Sequence, residues 1–200
     1  MREELVFLNS IFSARDLVFC RMEAQNPNEI FDVVDACDRV IGQATRAEVH
    51  AGKLLHRAVH ILIFTPGGDL VLQRRSLAKD TCPGLLSSSC AGHVDSGESY
   101  DFAAVRELAE ELGIDVCSGK HLSFVGTQSP SPENGFEFVR IYALRHFTGT
   151  LSPNESEIDT LELFSPERLN AAIQKNPERF APSFISVWHD FFPHESGRNI

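Results

Sequence analysis

Gly92-His93-Val94-Asp95-Ser96-Gly97-Glu98 and, seven residues further on, Arg106-Glu107-Leu108-Ala109-Glu110-Glu111-Leu112-Gly113-Ile114 form the stretch on which the reading of the fold turns. Between them Ser99 is suited to cap a helix N-terminus, and Asp101 sets an acid in the first turn, against the partial positive charge of the free N–H groups. Phe102, Val105, Leu108, Ala109 and Leu112 recur at helical spacing and predict one apolar face. Gly113 predicts the stop, as a left-handed residue just past the last turn. On this helix Glu107, Glu110 and Glu111 stand at i, i+3 and i+4, so the spacing puts three carboxylates on one side, one turn apart. They repel one another. Such crowding costs stability unless water spreads the charge or a hard cation takes the oxygens. A solvated acidic face is the plain alternative on an arbitrary helix.

Outward from the helix, Ala58 to Phe64 and Leu70 to Gln73 are apolar runs separated by Thr65-Pro66-Gly67-Gly68-Asp69, which predicts a hairpin. Ile30 to Asp35 and Val40 to Gly42 predict a second. Residues Asp80 to Ser99 are rich in Gly, Ser and Pro, as suits a loop or a strand closely approached by a ligand. Strands are expected at Leu122 to Thr127, at Phe136 to Leu144 and around Leu161 to Phe164, with helices after Ser165-Pro166 and over Pro182 to Phe192. Phe136, Phe138 and Tyr142 alternate along one strand, where aromatic side chains either fill the core or stack on a base. The expected fold class is α+β, a mixed central β-sheet flanked by helices. Residues 1–27 read as an N-terminal arm with a packing or homodimer role, 28–192 as the domain and 193–200 as a C-terminal tail.

At 200 residues and 22.2 kDa the chain has room for one core. Hydrophobic residues at 42% and charged residues at 23% exclude a disordered or low-complexity chain. A formal net charge of -10 opposes binding to a long nucleic acid, yet a small phosphorylated ligand remains accessible through divalent cations bridging carboxylate and phosphate. Five cysteines without a CxxC pair point to a reducing, cytoplasmic setting. Apolar stretches fall far short of the roughly 20 residues a membrane helix needs. Near the N-terminus Glu3, Glu4, Arg15 and Asp16 break up the apolar runs, unlike a signal peptide.

The stretch from Gly92 to Ile114 resembles the signature of the Nudix hydrolases, GX5EX7REUXEEXGU with U aliphatic, and every specified position matches across 23 residues. The resemblance implies a Nudix-type mixed sheet and a loop-helix-loop that carries Mg2+, with Mn2+ as the alternative ion, against the diphosphate of a nucleoside diphosphate linked to another group. It implies Glu107, Glu110 and Glu111 as metal ligands and catalytic groups, and the Gly92 carbonyl as a further ligand. Glu98 and Arg106 lie eight apart and are expected to pair, tying the loop to the helix. Glu157 is expected to reach the metals from a later loop, as ligand or base.

Leu70 to Asp80, followed by Pro83-Gly84-Leu85 and Ser89-Cys90-Ala91-Gly92-His93, is similar to the isopentenyl diphosphate isomerases and their hydrolase-like cousins, over roughly Ile30 to Trp188. That branch implies Arg75 and Lys79 as contacts to the diphosphate of a small-molecule substrate. Isomerases place a cysteine immediately before the Gly-His pair. Ala91 stands there in this chain, and Cys90, one residue earlier, points to the opposite face of an extended strand, where it reads as a small core residue. Isomerases of the bacterial type also hold a metal through histidines and a Glu-x-Glu pair, for which the candidates are His50, His56, His93, Glu155 and Glu157, with His50 one residue closer to His56 than that pattern has it. The expected activity is cleavage of a phosphoanhydride in nucleoside diphosphates, triphosphates or their derivatives. Isomerase-like chemistry and a binding-only module are the alternatives, and the complete set of box glutamates weighs against the last.

Overall fold

The computed structural model describes residues 26–116 and 122–192. Most of the expected N-terminal arm, and all of the expected tail at 193–200, lie outside the described residues.

Strands β1 (Ile30–Val34) and β2 (Val40–Thr45) form an antiparallel hairpin that runs directly into helix α1 (Arg46–Gly52). This helix is an addition to the sequence-based reading. Its start is set by a capping box, in which the Thr45 hydroxyl accepts from the Glu48 backbone N–H and the Glu48 carboxylate accepts from the Thr45 N–H. Strands β3 (His56–Phe64), β4 (Leu70–Arg75), β5 (Leu86–Ser87) and β6 (Cys90–His93) follow, then helix α2 (Tyr100–Leu112). Strands β7 (Leu122–Gln128), β8 (Glu137–Leu144) and β9 (Ile158–Phe164) and helices α3 (Pro166–Lys175) and α4 (Pro182–Phe191) complete the chain.

The seven-stranded sheet runs β5-β4-β3-β8-β7, with β6 added to β3 and β9 to β4. Strand β3 is its axis. It pairs parallel with β8 along its length, and on its other side passes from β6 at Ala58 to Ile61 to β4 at Ile63 and Phe64. Strands β6 and β4 therefore diverge, leaving a gap in the sheet.

Both faces of β3 are covered, which is why its sequence reads as a nearly unbroken apolar run. Ala58, Leu62 and Phe64 pack with Leu169, Phe184, Val187 and Trp188 of α3 and α4, and the buried Trp188 indole donates to Asn170 at 2.7 Å. Val59, Ile61 and Ile63 pack with Ala103, Ala104, Leu108 and Leu112 of α2. The apolar face expected for α2 is thus rotated. Leu108 and Leu112 are buried as expected, but Phe102 is 64% exposed and Ala109 is exposed, whereas Tyr100, Ala103, Ala104, Glu107 and Glu111 are buried. Ser99 caps α2 by accepting from the Phe102 N–H, and Gly113 ends it at φ 64°. Tyr142 is buried and Phe138 packs beside it, so both belong to the core, and Phe136 precedes the strand at φ 67°. Among the described residues no helix is long and apolar enough to cross a membrane.

Candidate functional site

The gap between β6 and β4 opens into a cavity of about 390 Å3 whose wall includes Gly92, Glu107, Glu110, Arg75, Lys79 and Glu157. The loop after β6 is tied to α2 by Arg106. Its Nε and Nη2 donate to the two Glu98 oxygens, each at 2.9 Å, and Nη2 also donates to the His93 carbonyl at 2.9 Å. Nη1 donates to Glu107 at 2.8 Å and to Glu110 at 3.0 Å. Glu98 accepts in turn from the Asp95 backbone N–H. One guanidinium thereby fixes both the loop and a carboxylate pair, as planar bidentate geometry allows.

The three helix carboxylates are not equivalent. The Glu110 side chain is 54% exposed, whereas Glu107 is buried and Glu111 is fully enclosed. Glu111 Oε2 accepts from the Gln73 side chain at 3.1 Å and from the Ala91 N–H at 3.3 Å, and its buried Oε1 has no partner. Burial, then the Glu111 charge, raises the Glu107 carboxyl well above the usual carboxylate range. Burial also raises Glu111, with Lys79 opposing and Glu157 reinforcing the shift. A buried acidic pair with an orphaned oxygen is a donor set that fits a hard divalent cation.

Across the cavity Lys79 Nζ donates to Glu157 Oε2 at 2.5 Å, and the Lys79 side chain is only 6% exposed. Arg75 donates from Nε to the Thr81 carbonyl and from Nη2 to its hydroxyl, which shapes the 76–83 loop. Of the expected site residues, Arg75, Lys79, Gly92, Arg106, Glu107, Glu110 and Glu157 line one cavity, whereas Glu98 and the fully enclosed Glu111 are not part of its wall. Ala91 opens to it as well, while Cys90 is fully buried on the α2 side among Val59 and Ile61, its thiol raised well above the usual range by burial and by Glu111 and Glu107.

Beside this site the ligating atoms of His50, His56 and His93 lie within 4.8 Å of one another. The carboxylate that joins them is Glu137, at 3.2 Å from His93 Nε2 and 3.5 Å from His56 Nε2. Glu155 and Glu157 do not take that place: Glu155 is exposed, and Glu157 is paired with Lys79. His56 Nδ1 donates to the Leu54 carbonyl at 2.9 Å, and its buried Nε2, 3.5 Å from Glu137, makes no hydrogen bond among the described residues. Arg46 Nη1 lies 3.1 Å from His93 Nδ1, and Phe31 stacks on the His93 ring. Burial lowers His93 to about 4. Burial opposes ionisation of Glu137, but His56 and His93 hold it below the usual range. The capping pattern Thr45-x-x-Glu48 is the sequence signal that places α1, and with it Arg46 and His50, at this cluster. No local pattern marks Glu137.

A family model described as NUDIX domain matches residues 54–184. An isopentenyl-diphosphate Delta-isomerase of Serratia proteamaculans is 34% identical over 172 residues, covering 86% of this chain and 96% of that protein. An uncharacterized Nudix hydrolase of a Nostoc species is 35% identical over 137 residues, covering 68% of this chain and 79% of that protein. Among solved structures, a crystal structure from Deinococcus radiodurans aligns with a TM-score of 0.74 at 28% identity, covering 82% of this chain and 99% of that one.

Proposed function

The chain belongs to the Nudix family, in the branch that includes isopentenyl diphosphate isomerases, and from that premise we propose that it is a metal-dependent hydrolase of a phosphoanhydride bond in nucleoside diphosphates, triphosphates or nucleoside diphosphate derivatives. The observation that carries this reading is a complete set of box carboxylates, with Glu107 and Glu111 buried, together with Ala91 at the position where the isomerases place a cysteine. Residues 28–192 form the catalytic unit in this reading.

Glu107, Glu110, Glu111 and the Gly92 carbonyl would hold Mg2+ or Mn2+, which when bound neutralises diphosphate charge and makes a water more acidic. Arg106 keeps Glu107 and Glu110 oriented, so that the ligand oxygens need no rearrangement when substrate arrives. Arg75 and Lys79 supply positive charge to the diphosphate. Glu157, its Oε2 held by Lys79, has Oε1 left to take the proton of the attacking water. The water oxygen bonds to phosphorus as the bridging P–O bond breaks, releasing a phosphomonoester or phosphate.

A second reading, an isomerase-like enzyme acting on a small allylic diphosphate, is favoured by the His50, His56, His93 and Glu137 cluster, whose donors suit a second cation. A nucleotide panel assayed with Mg2+ or Mn2+ separates the two. Release of nucleoside monophosphate or phosphate, stopped by EDTA, is the expected result. Conversion of isopentenyl to dimethylallyl diphosphate without nucleotide turnover would overturn it.

A further inference from the structure

One buried polar side chain of the cavity wall, that of His60, has no part in the chemistry described above. His60 lies on β3, in register with Ala91 of β6 and one strand position from Gly92, and is only 5% exposed. Its Nδ1 is 2.8 Å from the Ser88 hydroxyl. Ser88 is fully buried, and its hydroxyl makes no other hydrogen bond among the described residues. A buried hydroxyl proton requires an acceptor, so Ser88 donates to Nδ1 and the ring proton resides on Nε2. Burial lowers the ring to about 4, so it carries no charge near neutral pH. His60 Nε2 makes no hydrogen bond among the described residues, although Arg75 and Glu137 are both near enough to act on the ring.

We propose that His60 is a substrate-binding residue whose Nε2–H donates to a phosphate oxygen of the bound diphosphate, with Ser88 fixing the tautomer that makes this possible. The inference rests on the reading that this cavity takes a diphosphate, and it adds a neutral donor to the cations Arg75 and Lys79. A neutral donor suits this position. It orients one oxygen without competing with the metal-binding carboxylates as a further cation would, and without the desolvation a buried charge costs.

The test uses imidodiphosphate, which binds as a diphosphate but resists cleavage, with the full-length protein and Mg2+. Calorimetry should show binding weakened about five- to tenfold by His60→Leu, the loss expected for one neutral hydrogen bond. His60→Gln, which returns an N–H near the Nε2 position, should recover most of that loss, and Ser88→Ala should weaken binding to a lesser extent. Should the leucine variant fail to fold, histidine nitrogen NMR of the wild type decides. The proton is expected on Nε2, and that signal should shift when imidodiphosphate is added. Unchanged affinity in His60→Leu, a proton on Nδ1, or an Nε2 signal that stays put at saturation would each overturn the proposal. Wild-type protein that binds imidodiphosphate but cleaves no nucleotide overturns the hydrolase reading and leaves the His60 test standing. Wild-type protein that does not bind the probe overturns both.

Discussion

The Glu107 carboxylate fills the space beside Gly92 in which a side chain would begin: a Cβ at Gly92 would lie 2.0 Å from both Cδ and Oε1 of Glu107. Glycine is therefore required by close approach of a site carboxylate and not by a special turn. Gly92→Ala should push Glu107 out of the reach of Arg106 while leaving the strand intact. Calorimetric titration with Mn2+ should show weakened binding, turnover should fall by roughly 100-fold or more, and the melting temperature should stay near that of the wild type.

Glu111→Gln should separate activity from stability. Both Glu107 and Glu111 are raised in the folded protein, chiefly by burial, so above the ordinary carboxylate range the folded state holds more protons than the unfolded chain. The metal-free protein then loses stability as pH rises from about 5 through neutrality, because the unfolded chain gives up those protons first. Thermal melts in EDTA should show this decline, Mg2+ should oppose it most strongly at alkaline pH, and Glu111→Gln should reduce it. Turnover in the same variant should drop by roughly 100- to 1000-fold. Full activity in Glu111→Gln, or wild-type turnover that survives EDTA, would refute the metal-site reading.

Arg75 and Glu157 should differ in which kinetic constant they affect. Arg75→Ala removes a charge-assisted contact on the order of 1.5 to 3 kcal/mol, so KM for a nucleoside diphosphate should rise by roughly 10- to 150-fold. It also frees Thr81, so part of the rise reflects a looser 76–83 loop. Glu157→Gln should instead lower kcat with little change in KM, since a base that cannot ionise still permits binding. Steady-state kinetics on both variants checks the split.

Cys90→Ala should leave hydrolysis in place. The thiol is fully buried on the α2 side, and it is Ala91 that faces the cavity. The expected cost is a loss of stability on the order of 1 kcal/mol from the small void, measured by denaturant unfolding. Detectable isomerisation of isopentenyl diphosphate that disappears in Cys90→Ala would reverse the assignment.

The sequence by itself determined the carboxylate helix, its cap at Ser99, its stop at Gly113, and the Glu98–Arg106 pair. All of these depend on spacing within one loop and one helix, where 3.6-residue geometry converts sequence offset directly into position. It also determined most strands and both C-terminal helices, because their apolar runs are bounded by turn and capping residues. Helix α1 escaped that reading because its seven residues bury only Arg46 and Val49, too little for an apolar period to show. Tertiary structure alone decided which glutamates of the helix are buried, since packing of Ala103, Ala104 and Leu108 on the sheet buries Glu107 and Glu111 and leaves Phe102 exposed and Glu110 half-exposed at the cavity wall. It alone brought Glu137 to the histidines. His56 and Glu137 are register partners across the parallel β3–β8 ladder, and parallel strands must be joined by a long crossover, so neither residue's neighbours in sequence carry a sign of the other.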